Sequence, residues 1–317
     1  MKAAIVEAAG RAPVLGNFQE PVAGPGQVVL RVSAAAISHV TRSRASGTHY
    51  SLAAGQGFVP GVDGVGVTPD GRRVYFLLPQ APFGAMAEAC VVDEHHLVPL
   101  PDGLDDVTAA ALAIPGMSSW AALAERAGFK AGETVLVNGA TGASGRLAIQ
   151  VARHLGAGKV IATGRNTAAF DDLKRLGADV TLALGDDADA MEAAFKREFR
   201  AGVDVVLDYL WGRSAQTLIV AAAKAGPDGV PIRFVQIGAV SGGSIELPAA
   251  ALRSSALQLL GSGMGSIPLP RLKATLEGVL AAAPGASFEI ATEAWPLADV
   301  TAAWRRQDGG ARLVLRP

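Results

Sequence analysis

Val135-Leu136-Val137-Asn138-Gly139-Ala140-Thr141-Gly142-Ala143-Ser144-Gly145 carries an apolar β-type run into three glycines and on into the helical pattern of Arg146 to Leu155. Glycines 139, 142 and 145 permit a tight turn, close approach of backbone to a phosphate, and close contact of helix with strand. The helix that follows turns its unpaired N–H groups and partial positive charge toward the same point. This order predicts a dinucleotide-binding unit with Gly139, Ala140, Thr141, Gly142, Ala143, Ser144 and Gly145 around the pyrophosphate. The spacing is G-x-x-G-x-x-G, since Ala140 stands where G-x-G-x-x-G has its first glycine, so the flanking strand and helix carry the argument. A nucleoside-triphosphate loop would continue as G-K-[ST], and the chain reads Gly145-Arg146-Leu147.

Moving outward, a second strand ends at Thr163, about 20 residues beyond Gly142, where contact with the ribose is expected. An acidic residue there would bond the 2'-hydroxyl of NAD, but the sequence is Thr163-Gly164-Arg165-Asn166. A carboxylate would repel a 2'-phosphate, whereas Arg165 can pair with one through charge-assisted hydrogen bonds. NADPH is therefore favoured over NADH, the alternative being that Arg165 is a solvated loop residue.

Strand and helix patterns alternate from about Ser118, with strands at Thr134 to Asn138, Lys159 to Thr163, Val180 to Leu184, Val203 to Asp208, Ile232 to Gly238 and Ala256 to Leu260. Alternation predicts a parallel sheet with crossover helices, and six strands complete a doubly wound Rossmann fold. Before this lie short β-type runs, Gln27 to Val32, Gly64 to Val67, Arg73 to Leu77 and Ala87 to Val92, separated by AGPGQ, TPDG and PDG turns, which suggest a small barrel or sandwich. After Gly265 come a helix from Leu269 to Ala283, a strand from Glu289 to Trp295, a helix in PLADVTAAWRRQ and a last strand in ARLVLRP, a tail expected to return to the first domain. The expected division is 1–117, 118–262 and 263–317.

At 317 residues two domains are the default expectation. Half the residues are hydrophobic and 18% are charged, which allows a large core. The net charge is −1 with no basic stripe, so nucleic acid is an unexpected partner. Apolar runs are broken by charge, Gly or Pro before membrane-spanning length, and the start MKAAIVEAAG has no cleavage-site pattern, so a cytoplasmic protein is expected. The single cysteine, Cys90, excludes an internal disulfide and a cysteine-cluster zinc site, and its surroundings, AEACVV, place it in a buried strand.

Five stretches in order, Phe58 to Gly66 (FVPGVDGVG), Ile114 to Trp120 (IPGMSSW), the glycine loop, Leu176 to Asp179 (LGAD) and Val203 to Asp208 (VDVVLD), resemble the quinone oxidoreductase branch of the medium-chain dehydrogenase/reductase superfamily. The resemblance implies a GroES-like β-barrel domain, a Rossmann domain, a nicotinamide and substrate cleft between them, and a homodimer. Zinc enzymes of that superfamily carry an early Cys and a Gly-His-Glu where this chain has Ser38 and Gly61-Val62-Asp63, so by resemblance no metal is held and hydrogen bonds must activate the acceptor. The segment Arg42 to Tyr50 resembles the R-x-G-x-Y stretch beside the cleft. Tyr50 is the first choice of donor, then Arg44 and His49, with Ser38 in the nearby polar set. Each has a plainer reading, as a loop anchor, a surface ion pair, a solvated imidazole.

By the same resemblance Met117 and Ser119 line the nicotinamide end and Asp208 to Gly212 closes the adenine side; Phe234 to Ala239 ends a strand at the carboxyl edge of the sheet, where dinucleotides bind, so Ile237, Gly238 and Ala239 should pass close to the nicotinamide. Leu260 to Gly265 is either a crossing between domains or part of the substrate wall. The expected activity is reduction of a small quinone, with an enone or enoyl-thioester reductase and a non-catalytic NADPH-binding sensor as rivals. A short-chain dehydrogenase would need a Tyr followed four residues later by Lys, but Tyr50, Tyr75 and Tyr209 are followed by Ala54, Pro79 and Arg213.

Overall fold

The computed structural model describes residues 1–46, 57–306 and 310–317. The chain forms two compact units, one of Met1–Ile114 with Leu276–Pro317 and the other of Pro115–Thr275.

In the second unit, β-branched and leucine-rich runs that can be buried on both faces become the strands of one parallel sheet. Its order is Val180–Ala183, Lys159–Gly164, Thr134–Asn138, Val205–Asp208, Ile232–Gln236 and Leu257–Gly261. In chain order this is 3-2-1-4-5-6, the doubly wound arrangement expected of a Rossmann sheet. Leu136, Ile161, Val206 and Phe234 pack one face against Phe195 and Phe199 of the helix Ala188–Ala201 and Leu218 and Ile219 of the helix Gly212–Ala225. On the helix Ala143–His154, Leu147, Ala148, Val151 and Ala152 form a fully buried stripe at helical spacing. The winding reverses between Thr134–Asn138 and Val205–Asp208, and ligands of such sheets bind at the carboxyl ends of strands at that reversal.

The first unit carries a mainly antiparallel sheet, with one parallel pair at its edge, in which the long strand Gln27–Ala36 pairs with Asp63–Val67, Ala89–Asp93 and Arg312–Arg316. Arg73–Leu77 and Leu97–Pro99 extend it on one side and Thr292–Pro296 on the other. A register shift between Val32 and Ala34 bends the long strand, as a bulge does. The C-terminal tail thus completes this unit. Leu30, Phe76, Met86, Cys90, Leu313 and Leu315 are buried in its core. Burial raises the Cys90 thiol well above its ordinary pKa, as suits a packed side chain.

Three sequence expectations are corrected. The chain leaves the first unit inside a helix, Asp106–Ala121, that the sequence reading did not anticipate because Pro115 and Gly116 look like breakers. Together with the π-turn Ala122–Ala127 it forms a 22-residue segment with the length and composition of a membrane span, against the expectation that no run is long enough. As 67% of that apolar window is buried within the fold, it reads as a core helix. The second crossing falls inside the helix Leu269–Ala286, at Thr275 and Leu276, instead of at 262. Arg126 donates to Gly261 O at 2.7 Å and to Ser266 O at 3.2 Å, which ties the chain beyond 262 to the second unit.

Candidate functional site

The glycine loop is shaped from within by two of its three glycines. Gly139 has a φ of 93°, in the left-handed region. A Cβ on Gly145 would collide with Gly139 O and stand 2.6 Å from Ala140 Cα, so helix and strand could not approach as they do. Gly142 differs. Its φ of −81° and ψ of 166° suit any residue, and a Cβ there would meet nothing within 4 Å. Gly142 is also the N-cap of Ala143–His154, and no side chain caps that helix. The first N–H groups of a 12-residue helix therefore face a space the protein leaves open, the geometry an anion needs.

Beside the loop, Thr163 and Gly164 are buried at the end of their strand, while Arg165 and Asn166 are exposed. A Cβ at Gly164 would strike Thr141 Cγ2, so this strand end packs directly on the loop. Asn166 Oδ1 accepts from Ala168 N at 3.2 Å and starts a 3₁₀ turn. Arg165 has no hydrogen bond or ion pair among the described residues. Arg146 is committed elsewhere, to Asp172 and to Thr141 O.

Beneath the loop runs a buried polar row. Thr163 Oγ1 donates to Asn138 Oδ1 at 2.7 Å and accepts from Gly139 N at 3.2 Å. Asn138 Nδ2 donates to Asp208 Oδ1 at 2.7 Å and to Ser214 Oγ at 3.0 Å. Asp208 also accepts from Leu210 N at 3.1 Å and from Trp211 N at 3.1 and 3.2 Å. Burial pushes the Asp208 pKa up, and the bonds from Asn138, Leu210 and Trp211 pull it back. Both carboxylate oxygens are thus used inside the fold. Asn138 has no role in the motif itself, and its one sequence signal is an amide at the last position of an apolar strand; the structure sets it in register with Thr163 and Asp208.

Ile237, Gly238 and Ala239 follow the strand Ile232–Gln236 at the same sheet edge. Ile237 N and Gly238 N donate to Asp208 O at 2.8 and 3.1 Å, and a Cβ on Gly238 would lie 2.6 Å from Tyr209 O. Ala239 is exposed and, with Trp211, Phe234, Gln236, Gly243, Leu259, Leu260 and Gly261, lines a cavity of about 350 Å³. Met117 is buried, and the buried Ser119 hydroxyl donates to Gly116 O at 2.9 Å.

In the first unit, Ser38 is buried and caps the helix His39–Ala45. Its Oγ accepts from Thr41 N at 3.0 Å and lies 2.9 Å from Thr41 Oγ1. Arg44 is half-buried in the last turn of that helix. His49 and Tyr50 lie outside the described residues. Tyr75 Oη donates to Asp63 Oδ2 at 2.7 Å in a fully buried pair. Burial raises the Asp63 carboxyl to about 6, against the opposing pull of Tyr75 and the Arg312 charge. Among the described residues no three His, Cys, Asp or Glu side chains gather as a metal site would require.

A probable NADPH-dependent quinone reductase of Emericella nidulans is 32% identical to this chain, with 92% of this chain and 93% of that protein aligned. The chain belongs to the quinone oxidoreductase branch of the medium-chain dehydrogenase/reductase superfamily. A solved structure in this branch, the quinone oxidoreductase of Thermus thermophilus, is 30% identical, aligns over 100% of both chains and has a TM-score of 0.80. A 2-methylene-furan-3-one reductase of Solanum lycopersicum is 33% identical over 52% of this chain and 47% of its own length. The family model described as zinc-binding dehydrogenase matches residues 143–282, from the helix after the glycine loop onward. That stretch lies downstream of Ser38 and Val62, where the resemblance places the metal ligands of the zinc enzymes.

Proposed function

We propose that this chain is a zinc-free oxidoreductase that takes NADPH and reduces a quinone or a related α,β-unsaturated carbonyl. The observation that carries the reading is the exposed guanidinium of Arg165, unengaged among the described residues, at the end of the strand beside an uncapped helix N-terminus, with no carboxylate in Thr163 to Asn166. A pyrophosphate at Gly142 puts the adenosine ribose near that strand end, where Arg165 pairs with a 2'-phosphate. The names of the Emericella and Thermus relatives support this choice of cofactor and substrate. NADPH, when bound, supplies the hydride and sets what the acceptor must be.

The chain's own residues bind, orient and polarise. Gly139 to Gly145 hold the phosphates, Ile237 to Ala239 flank the nicotinamide, and Met117 and Ser119 pack behind it. Tyr50, Arg44 and His49 are the proposed donors to the acceptor oxygen, whose developing charge needs one or two hydrogen bonds. Ser38 we assign to helix capping. The donor set supports a metal-free site, since the one cysteine is buried with its pKa raised and Val62 offers no ligand. We further propose the unit Met1–Ile114 with Leu276–Pro317 as the catalytic part and Pro115–Thr275 as the cofactor-binding part, a cytoplasmic location, and a homodimer, for which the edge strand Leu257–Gly261 with its exposed Leu259 offers a pairing surface.

Steady-state oxidation of NADPH with a panel of quinones and enones tests the proposal. Turnover with a quinone supports it. Tight NADPH binding with no acceptor in either panel would favour a sensor. The tomato relative keeps an enone reductase as the second reading, and 4-deuterated NADPH separates the two, because only an enone reductase places deuterium on a carbon of the product.

A further inference from the structure

Three neighbouring strands end in register on polar residues: Thr163 opposite Asn138, and Asn138 opposite Asp208. All three are fully buried, where apolar side chains would ordinarily stand. Their bonds leave this row at both ends to reach backbone. At one end Thr163 Oγ1 takes Gly139 N, the first residue of the glycine loop. At the other Asp208 takes Leu210 N and Trp211 N, in the turn that opens the helix Gly212–Ala225.

That turn is strained. Trp211 has a φ of 56° and a ψ of −155°, a conformation found almost only for glycine, and it is held by the Asp208 carboxylate. Gly212 follows at a φ of 61°, and a Cβ on it would stand 2.8 Å from Ser241 O. The row therefore spans the point where the sheet reverses its winding, tying one loop on each side of the crevice to a single chain of hydrogen bonds.

We propose that Thr163, Asn138 and Asp208 form a positioning unit that fixes the glycine loop against the 209–212 turn and so sets the width of the dinucleotide crevice. This inference rests on the reading of that crevice as a nicotinamide-dinucleotide site. It reassigns Thr163 and Asp208: they act through the backbone they hold and do not touch the ribose or the adenine. Their contribution is made to the part common to both dinucleotides, the pyrophosphate, whereas Arg165 faces the 2'-phosphate alone.

The test is the dissociation constant of folded protein for NADPH and for NADH, by fluorescence titration, with thermal unfolding recorded beside it. Thr163→Val keeps the β-branched shape and removes both hydroxyl bonds; Asp208→Asn sets an amide N–H against the Trp211 N–H. Each is expected to weaken NADPH and NADH together, by tenfold or more, leaving their ratio as in the wild type. If Thr163→Val binds both nucleotides as the wild type does, or if Asp208→Asn lowers only the unfolding temperature, the positioning role is overturned. Loss confined to NADPH overturns it too, since that marks direct contact with the 2'-phosphate. A wild-type protein that binds neither nucleotide is a different failure: it removes the functional reading beneath the proposal and the proposal with it.

Discussion

Replacing Gly142 by alanine separates what the fold needs from what a ligand needs. At this residue φ is −81° and ψ is 166°, and an added Cβ meets no atom within 4 Å, so the protein alone gives no steric reason for glycine. Alanine there should change stability by no more than about 1 kcal/mol in either direction, because the lower entropy of the unfolded chain favours it and the poorer N-cap opposes it. The methyl group would, however, project where the uncapped helix N-terminus faces, into the path of the pyrophosphate. Displacing an anion from one charge-assisted N–H bond costs about 1.5–3 kcal/mol, a loss of roughly 10- to 150-fold in affinity. Calorimetric titration with NADPH, paired with urea unfolding of the free protein, measures both quantities. A Gly142→Ala protein that binds NADPH with wild-type affinity would refute the placement of the phosphates.

Gly145→Ala should behave differently, because its Cβ would strike backbone at Gly139 and Ala140; a loss of about 1–3 kcal/mol in urea unfolding is expected along with the loss of NADPH binding. Ser38→Ala should cost about 1 kcal/mol of stability, as the loss of a helix cap does, and change kcat little; a collapse of kcat without a stability change would return Ser38 to the catalytic set. Asp63 predicts a pH dependence. Its carboxyl is at about 6 when folded against an ordinary 3.8, so its stabilising effect is complete below pH 4 and is lost as pH rises through 6. The size is about 3 kcal/mol at 1.36 kcal/mol per unit. Unfolding free energies of the wild type should therefore fall by about 2–3 kcal/mol relative to Asp63→Asn between pH 4 and 7, and parallel profiles would contradict the assignment.

The Rossmann sheet was legible because its strands are short apolar runs set between helical patterns, and the glycine loop because steric demands of backbone on backbone leave few residue choices at Gly139 and Gly145. The antiparallel unit could be read from turn residues as a barrel or sandwich, but its pairing order could not, since the partners of Gln27–Ala36 come from residues as distant as Arg312–Arg316. Pro115 and Gly116 hid the helix Asp106–Ala121, where tertiary burial overrides local propensity. At the site, sequence position showed which strand ends converge but not where side chains turn. Its place at the carboxyl end of a strand suits Thr163 to a ribose contact, and the family resemblance sets Asp208 at the adenine side, yet both side chains bond to Asn138. Ser38 shows the same limit, since a hydroxyl three residues before Thr41 suits a cap as well as a donor.

The most direct measurement of the central claim is the affinity of an Arg165→Ser protein for NADPH and for NADH, set beside the wild type by isothermal calorimetry. The account predicts that the wild type binds NADPH more tightly, that the substitution weakens NADPH by about 10- to 150-fold, the value of one hydrogen bond to a charged group, and that NADH is unaffected. Equal loss for both nucleotides, or no loss for either, would contradict it.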